Sequence, residues 1–365
     1  MKKVLLINDY ISSGGVENIM LEFAKFLTSR EYDVTIYTKY RQKEFYSLYP
    51  KKVKYTYCYF HRFKKRSIIS KIVNTFGRIN DKLLLYRKYD IVINMKEGPT
   101  MHRALRYKNA DKLITWLHID YSKFHWTNHF FDNDEDERKC YAKFDTTIAV
   151  SNAVENGLIE TIGDPGNIVV RYNPIDKDSI IKKSNNLCDV VKDEKKVLFV
   201  SVGRLCNEKR YKELVLEMAK REYNELLEFW IIGNGEDKYT EELCTIIEEN
   251  CLCGVVKLLG RKDNPFPYVK QADFYVCSSY TESFGLAIHE ALVLGVPVLT
   301  INCPGIVESL NEKVAIITHD IEELCDRIQE IIYNRNIAEE YRQKVLQYYE
   351  CVSAKERFEE IEKIL

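Results

Sequence analysis

No stretch of this 365-residue chain is apolar for long enough to cross a membrane as a helix. The longest nearly apolar run, residues 291–301, is about half of the roughly 20 residues a spanning helix needs, and Gly295 and Pro297 interrupt it. Near the start only Val4 to Ile7 are apolar before Asn8 and Asp9, so a secretory leader is not expected. Paired cysteine spacing is also missing. The 11 cysteines are odd in number and form no C-x-x-C, which points away from a disulfide framework or a zinc site and toward reduced thiols. Bulk charge of one sign is absent as well: 54 Lys and Arg face 55 Asp and Glu, a net of -1, so nucleic acid is not an expected partner. Short-period repeats and low-complexity tracts are lacking. With 45% apolar and 30% charged residues, the composition is that of a soluble globular chain.

What remains is a chain long enough for two domains. Short apolar runs alternate with amphipathic helical stretches: residues 3–7, 34–37, 91–93, 113–117 and 147–150, then 196–202, 229–232, 255–259, 274–277 and 296–301. Runs apolar throughout suit parallel strands covered by helices on both faces. The predicted fold class is therefore α/β, with two doubly wound Rossmann-like domains facing a cleft. Residues 1–175 form the first and 190–345 the second, with 176–189 as hinge or linker. A final helix over about 346–365 is expected to pack back on the first domain.

Residues 39–88 stand apart. Fifteen basic residues there meet only Glu44 and Asp81, a net of +13, and seven Tyr and Phe residues between 46 and 63 are interleaved with them. A solvated basic face is one reading. The other is contact with an anionic membrane surface, centred on Arg62, Lys64, Lys65 and Arg66.

Three loops carry candidate chemistry. Glu282 and Glu290 lie eight positions apart, after the strand 274–277 and into a helix opened by Gly285. This places the amides of Phe284, Gly285 and Leu286, next to Ser283, at a helix N-terminus, where phosphate is favoured. Glu290 suits the vicinal hydroxyls of a ribose and Glu282 a sugar. As bland alternatives, Glu282 caps a turn and Glu290 is a half-buried helix residue. In the second loop, Gly203 admits a ligand close to the backbone, and Arg204 and Lys209 are cations fit to stabilise a departing diphosphate or to form surface salt bridges. In the third, Gly14 and Gly15 follow the first strand without completing a G-x-G-x-x-G, as do Gly233 and Gly235 later, so a dinucleotide dehydrogenase is poorly supported.

In these motifs the chain resembles family 4 (group 1) glycosyltransferases of the GT-B fold, of the bacterial surface-polysaccharide type, over nearly its whole length. Gly14-Gly15-Val-Glu17 is similar to that family's G-G-x-E, and Trp116-Leu-His118 to the segment ending in its active-site His. Val150-Ser151-Asn152 is similar to its V-S strand end, and Tyr172-Asn-Pro-Ile-Asp176 to its hinge. Gly203-Arg204 with Lys209, Gly233-Asn-Gly235, Leu259-Gly260, the Glu282 to Glu290 pair and Gly295-Val-Pro-Val298 follow in order.

The resemblance implies a retaining, metal-independent hexosyltransferase that uses a nucleotide-sugar, by family frequency a UDP-sugar. No cofactor and no metal is implied. Arg204 and Lys209 would hold the diphosphate, Glu290 the ribose, Glu282 the donor sugar and the backbone near Arg261 the base, while His118 would act at the transferring bond. The first domain would bind the acceptor and the second the nucleotide-sugar. With the basic segment, this points to a lipid-linked saccharide acceptor and to a cytoplasmic protein, peripheral on the inner membrane face. A non-catalytic sugar-nucleotide-binding subunit, a soluble acceptor, and a metal-dependent transferase using Asp132-Asn-Asp134 stay open as alternatives. Neither the sugar nor the acceptor linkage is written in the sequence.

Overall fold

The computed structural model describes residues 1–11, 14–59, 77, 79, 82–223, 226–310 and 312–365. It divides into two compact units, Met1–Pro174 with Lys355–Leu365, and Ile175–Ala354.

The first unit is built on β1 (Lys3–Ile7), β2 (Asp33–Tyr40), β3 (Lys54–Tyr59), β4 (Ile91–Asn94), β5 (Lys112–Leu117), β6 (Thr146–Ala149) and β7 (Ile168–Val170). These form one parallel sheet in the order β3-β2-β1-β4-β5-β6-β7. The order reverses between β1 and β4, so the crevice beyond their carboxyl ends is the place where such sheets take ligands. Helix Gly15–Ser29 lays Phe23 and Phe26 toward the core, and the last helix, Ala354–Glu362, docks there through Phe358. The Phe358 ring lies 5.2 Å from Phe23 and 5.3 Å from Phe26, and Arg30 pairs with Glu362 at 3.0 Å.

The second unit repeats the plan with β8 (Val197–Val202), β9 (Leu227–Ile232), β10 (Val256–Gly260), β11 (Phe274–Cys277), β12 (Val298–Ile301) and β13 (Ala315–Thr318). Their parallel order is β10-β9-β8-β11-β12-β13, with the reversal between β8 and β11. Successive residues of β8 feed opposite cores. Val197 and Phe199 join one buried cluster, Leu198 and Val200 the other. That two-sided burial is why the strand reads as apolar throughout rather than alternating.

The structure departs from the sequence reading in three places. Residues 176–189 hold the helix Lys177–Ser184, capped by Asp176 through the Ser179 amide at 3.0 Å, and the segment is part of the second unit. The return to the first unit begins at Lys355 rather than near 346, because Tyr349 stays on the second unit against His289. Within 39–88, β3 is a regular edge strand whose Tyr55, Tyr57 and Tyr59 share one half-buried face while Thr56 and Cys58 are buried. Arg62, Lys64, Lys65 and Arg66 lie outside the described residues.

Candidate functional site

In the second unit, the loops after β8 and β11 meet at the carboxyl edge of the sheet, at its switch point. Three contacts stitch them. Ser278 Oγ donates to the Lys209 carbonyl at 2.7 Å, the Tyr280 amide donates to the Glu208 carbonyl at 2.8 Å, and the Lys209 ammonium pairs with Glu282. Glu282 Oε1 also accepts from Ser279 Oγ at 2.7 Å, and the Glu282 amide bonds the Cys303 thiol at 3.0 Å. The Lys209 stem runs over Gly203, where a Cβ would come 3.0 Å from Cε. Gly233 of the neighbouring loop is required because a Cβ there would fall 1.8 Å from the Gly203 carbonyl oxygen. Burial works against the charge of Lys209, and the facing Glu282 carboxylate outweighs it, so the ammonium is held above the usual lysine range.

The other cation of this loop behaves differently. Arg204 is exposed, and among the described residues its guanidinium makes no ion pair or hydrogen bond. Gly285 opens the helix Leu286–Val293 in the left-handed region, φ +74°, where a side chain would be strained and would press on Ile288. The Gly285 and Leu286 amides carry no hydrogen bond among the described residues, as expected of a helix start offered to an anion. Glu290, further into this helix, has no hydrogen bond or ion pair there either. Burial pushes its carboxyl up to about 7, and the Lys183 ammonium pulls the other way. His289 sits between the two, inside the motif, but faces the core: it bonds Tyr349 at 3.1 Å and Ser309 at 3.0 Å and stacks on Phe284 at 4.6 Å. Arg261, just past β10, is half-exposed and pairs with Asp263 at 3.3 Å.

The first unit carries His118 at the end of β5. Its Nε2 lies 2.9 Å from the Met95 carbonyl, which can only accept, so Nε2 holds the proton. Burial lowers the imidazole below its ordinary value, opposed by the Glu97 carboxylate. The ring is thus neutral near pH 7, with a bare Nδ1 able to accept from a hydroxyl. Gly14 caps helix Gly15–Ser29 with its backbone, and Asn8, just past β1, is fully buried with both amide atoms unbonded among the described residues. Asp132-Asn-Asp134 opens the helix Asp134–Tyr141, with Asn133 Oδ1 accepting from the Asp136 amide at 2.9 Å.

Sequence reasoning singled out the Arg204–Lys209 loop and both glutamates and read the two cations as sharing one ligand. The structure commits Lys209 to Glu282 and leaves Arg204 open. It missed Ser279 as a partner of Glu282, Lys183 as the charge facing Glu290, and Glu97 and Trp126 around His118. Of these only Ser279, three residues before Glu282, is close enough in sequence to carry a local signal.

Two parallel doubly wound sheets, one with a helix start and an open arginine at its switch point, define a two-domain protein of the GT-B type. The sequence agrees: residues 13–179 match the profile of Glycosyltransferase Family 4 and residues 183–348 that of Glycosyl transferases group 1, and the chain belongs to this family. It is similar to the O-antigen biosynthesis glycosyltransferase WclY of Escherichia coli, 26% identical over 194 residues, which is 52% of each chain. It is also similar to an N-acetylgalactosamine-N,N'-diacetylbacillosaminyl-diphospho-undecaprenol 4-alpha-N-acetylgalactosaminyltransferase of Campylobacter jejuni, 31% identical over 153 residues, 42% of this chain and 40% of that one. The chain thus spans about half the length, or less, of these curated relatives. Among solved structures it is similar to HepE of Anabaena, determined with UDP and glucose, at a TM-score of 0.76 and 18% identity over 100% of both chains. Among the described residues no helix is long and apolar enough to cross a membrane.

Proposed function

We propose that this glycosyltransferase is a retaining, metal-independent enzyme that moves a hexose from a nucleotide-sugar, a UDP-sugar, to a lipid-linked saccharide. The observation that carries the reading is the arrangement at the β8/β11 switch point. Among the described residues an Arg204 guanidinium with no ion pair or hydrogen bond stands on the same loop as a lysine already neutralised by Glu282, and a helix start with free amides follows in the second loop. A departing UDP needs its growing negative charge met by fixed donors, and those groups supply it without a metal. Arg204, assisted by Lys209 and the amides of residues 284–286, binds the diphosphate. Glu290 accepts from the ribose hydroxyls, Glu282 offers its second carboxylate oxygen to the donor sugar, and the backbone at Arg261 meets the base. His118 accepts from a sugar hydroxyl through Nδ1. The second unit is then the donor unit and the first the acceptor unit. Substitution proceeds on the face the nucleotide leaves, so the anomeric configuration is kept.

The Campylobacter relative, named for a diphospho-undecaprenol substrate, supports a lipid-linked acceptor, and the E. coli O-antigen relative supports a role in surface-polysaccharide synthesis. The +13 segment 39–88 supports a cytoplasmic enzyme resting on the inner membrane face. The test is incubation of the purified chain with a panel of nucleotide-sugars and an undecaprenyl-diphosphate-linked sugar, with and without chelator. UDP release that survives chelator, with a retained anomer by NMR, is expected. No release with any donor, or an inverted product, overturns the reading. Flotation on phosphatidylglycerol vesicles should show binding that weakens with salt, since exposed charges are screened within about 8 Å at physiological ionic strength. Binding unchanged when Lys64, Lys65 and Arg66 are all changed to Glu removes the membrane claim.

A further inference from the structure

Glu97 follows β4 and is almost wholly buried, at 3% exposed. A carboxylate in such a place must be spent on something, because burying an ion without partners is costly. Here each oxygen has its own task. Oε2 accepts the backbone amide of His118 at 3.1 Å, and Oε1 accepts the indole N–H of Trp126 at 3.4 Å. The indole is also confined from other sides. It lies on Gly98, φ +92°, where a Cβ would come 2.8 Å from Cη2, and Phe130 meets it edge-on at 5.7 Å. The strand end that carries His118 and the ring eight residues later are therefore held by one group. The imidazole is tied to the same stretch of chain through the Met95 carbonyl.

We propose that Glu97 is a positioning residue of the first unit's site, its two oxygens fixing the His118 main chain and the Trp126 indole in one arrangement. The inference rests on the reading of His118 as an active-site residue. Carboxylate is the only side-chain chemistry of this size that accepts at both ends. Gln would present one acceptor and one N–H, and that N–H would face another N–H at one of the two contacts. The carboxylate also acts on the imidazole through space. The charges that bear on the buried ring are Glu97 and Glu17, which raise its pKa, and Lys96, which lowers it.

The test compares Glu97→Gln, Glu97→Asp, Trp126→Phe and His118→Ala in the full chain. Turnover, UDP affinity, melting temperature and the NMR titration of the His118 ring are read for each. Glu97→Gln should lower kcat by about 10- to 100-fold, the scale of a small misplacement of reacting groups. UDP affinity should stay within about twofold, since the nucleotide is read as bound by the loops of the second unit and Glu97 touches none of them. The His118 titration should move to lower pH, and Glu97→Asp should restore part of both. Trp126→Phe, which deletes one of the two hydrogen bonds and keeps a ring, should give a smaller loss of kcat, and it remains a readable variant should Glu97→Gln fail to fold. Unchanged kcat and an unmoved His118 titration in Glu97→Gln, or full turnover in Trp126→Phe, overturn the proposal. Full turnover in His118→Ala instead overturns the assigned role of His118, while the Glu97 effect on the titration would persist.

Discussion

The two sheets end in opposite kinds of chemistry. At the carboxyl edge of the second sheet, polar groups are left for a ligand: among the described residues Arg204 is exposed without an ion pair, two helix-start amides are open, and Glu290 has no hydrogen bond, with only the Lys183 charge facing it. At the carboxyl edge of the first, two buried carboxylates among the described residues are spent internally. Glu97 is spent on His118 and Trp126, and Glu137, fully buried, accepts from Tyr121 at 2.9 Å, Thr127 at 2.6 Å and His125 at 2.7 Å. Beside them, among the described residues, lie the buried, neutral His118 imidazole and the exposed rings of Phe124 and Phe130. The contrast matches the two halves of the proposed reaction. An anionic leaving group needs donors and cations, and a neutral saccharide needs hydroxyl acceptors and rings on which to rest.

The largest effect that would break this contrast is on Arg204. Arg204→Ala should lower kcat by roughly 100-fold or more, the cost of removing one group that stabilises transition-state charge. Glu290→Ala should raise the donor KM instead, because ribose contacts are made alike in ground and transition states. If steady-state kinetics show both variants changing only KM, the division of roles is wrong.

Next comes the tie between the loops. Lys209→Met leaves a partly buried Glu282 carboxylate with the Ser279 hydroxyl and loses its cation. Stability should fall by about 2 kcal/mol, the scale for a hydrogen bond to a charged group left unmade. Denaturant unfolding would read it, and a Lys209→Met, Glu282→Gln double variant should recover part of the loss. A stability equal to the parent's would mean the pair is held for the ligand rather than for the loops.

Much of this was legible before the structure, and the omissions follow one rule. Central strands such as β8 are covered on both faces and therefore announce themselves as unbroken apolar runs. The strands missed in the sequence, β3, β7 and β13, all lie at sheet edges. β3 alternates half-buried tyrosines with Thr56 and Cys58, and β7 has only three residues, all partly exposed, so neither has the pattern of a doubly covered strand. Site residues divide in the same way. Arg204, Lys209, Glu282 and Glu290 each follow a strand at a fixed offset, so spacing finds them. Glu97 acts on residues 21 and 29 positions away, a relation that only the β4–β5 pairing and the loop after His118 create. Nothing in the local Lys96-Glu97-Gly98-Pro99 sequence encodes it.

The third prediction sharpens the comparison through pH. The Glu290 carboxyl is raised to about 7 from an ordinary value near 4.5, so the folded chain holds a proton there that the unfolded chain has lost. Its contribution to stability is complete at acid pH and declines as pH rises through about 7. Donor binding runs the other way, because only the ionised carboxylate accepts from both ribose hydroxyls. UDP affinity should therefore increase by about tenfold from pH 6 to pH 8, following the ionised fraction of a group titrating near 7. Calorimetry at several pH values reads this directly. Glu290→Gln should flatten the dependence, and a slope that survives in that variant would place the titrating group elsewhere.

The smallest expected effect tests whether the first sheet's acidic run, residues 132–137, is scaffold like Glu97 and Glu137 or a metal-ligand pair like the Asp-x-Asp it resembles in sequence. The geometry makes Asn133 an N-cap. Its backbone is extended, its side chain takes the Asp136 amide, and Asp134 to Glu137 fill the first turn, where negative charge meets the positive end of the helix. Glu137 in turn reaches inward to Tyr121 and Thr127, so this cap sets the start of the helix that anchors the loop after His118. Asn133→Ala should then cost about 1 kcal/mol of stability, the usual loss of a cap, with turnover little changed. Asn133→Asp, which keeps the capping oxygen, should be close to neutral. A ligand pair would show the reverse order of sensitivity: Asp132→Ala and Asp134→Ala would abolish turnover with little effect on melting, and added divalent metal would stimulate the parent. Melting curves and rates of these four variants, with and without chelator, separate the two cases.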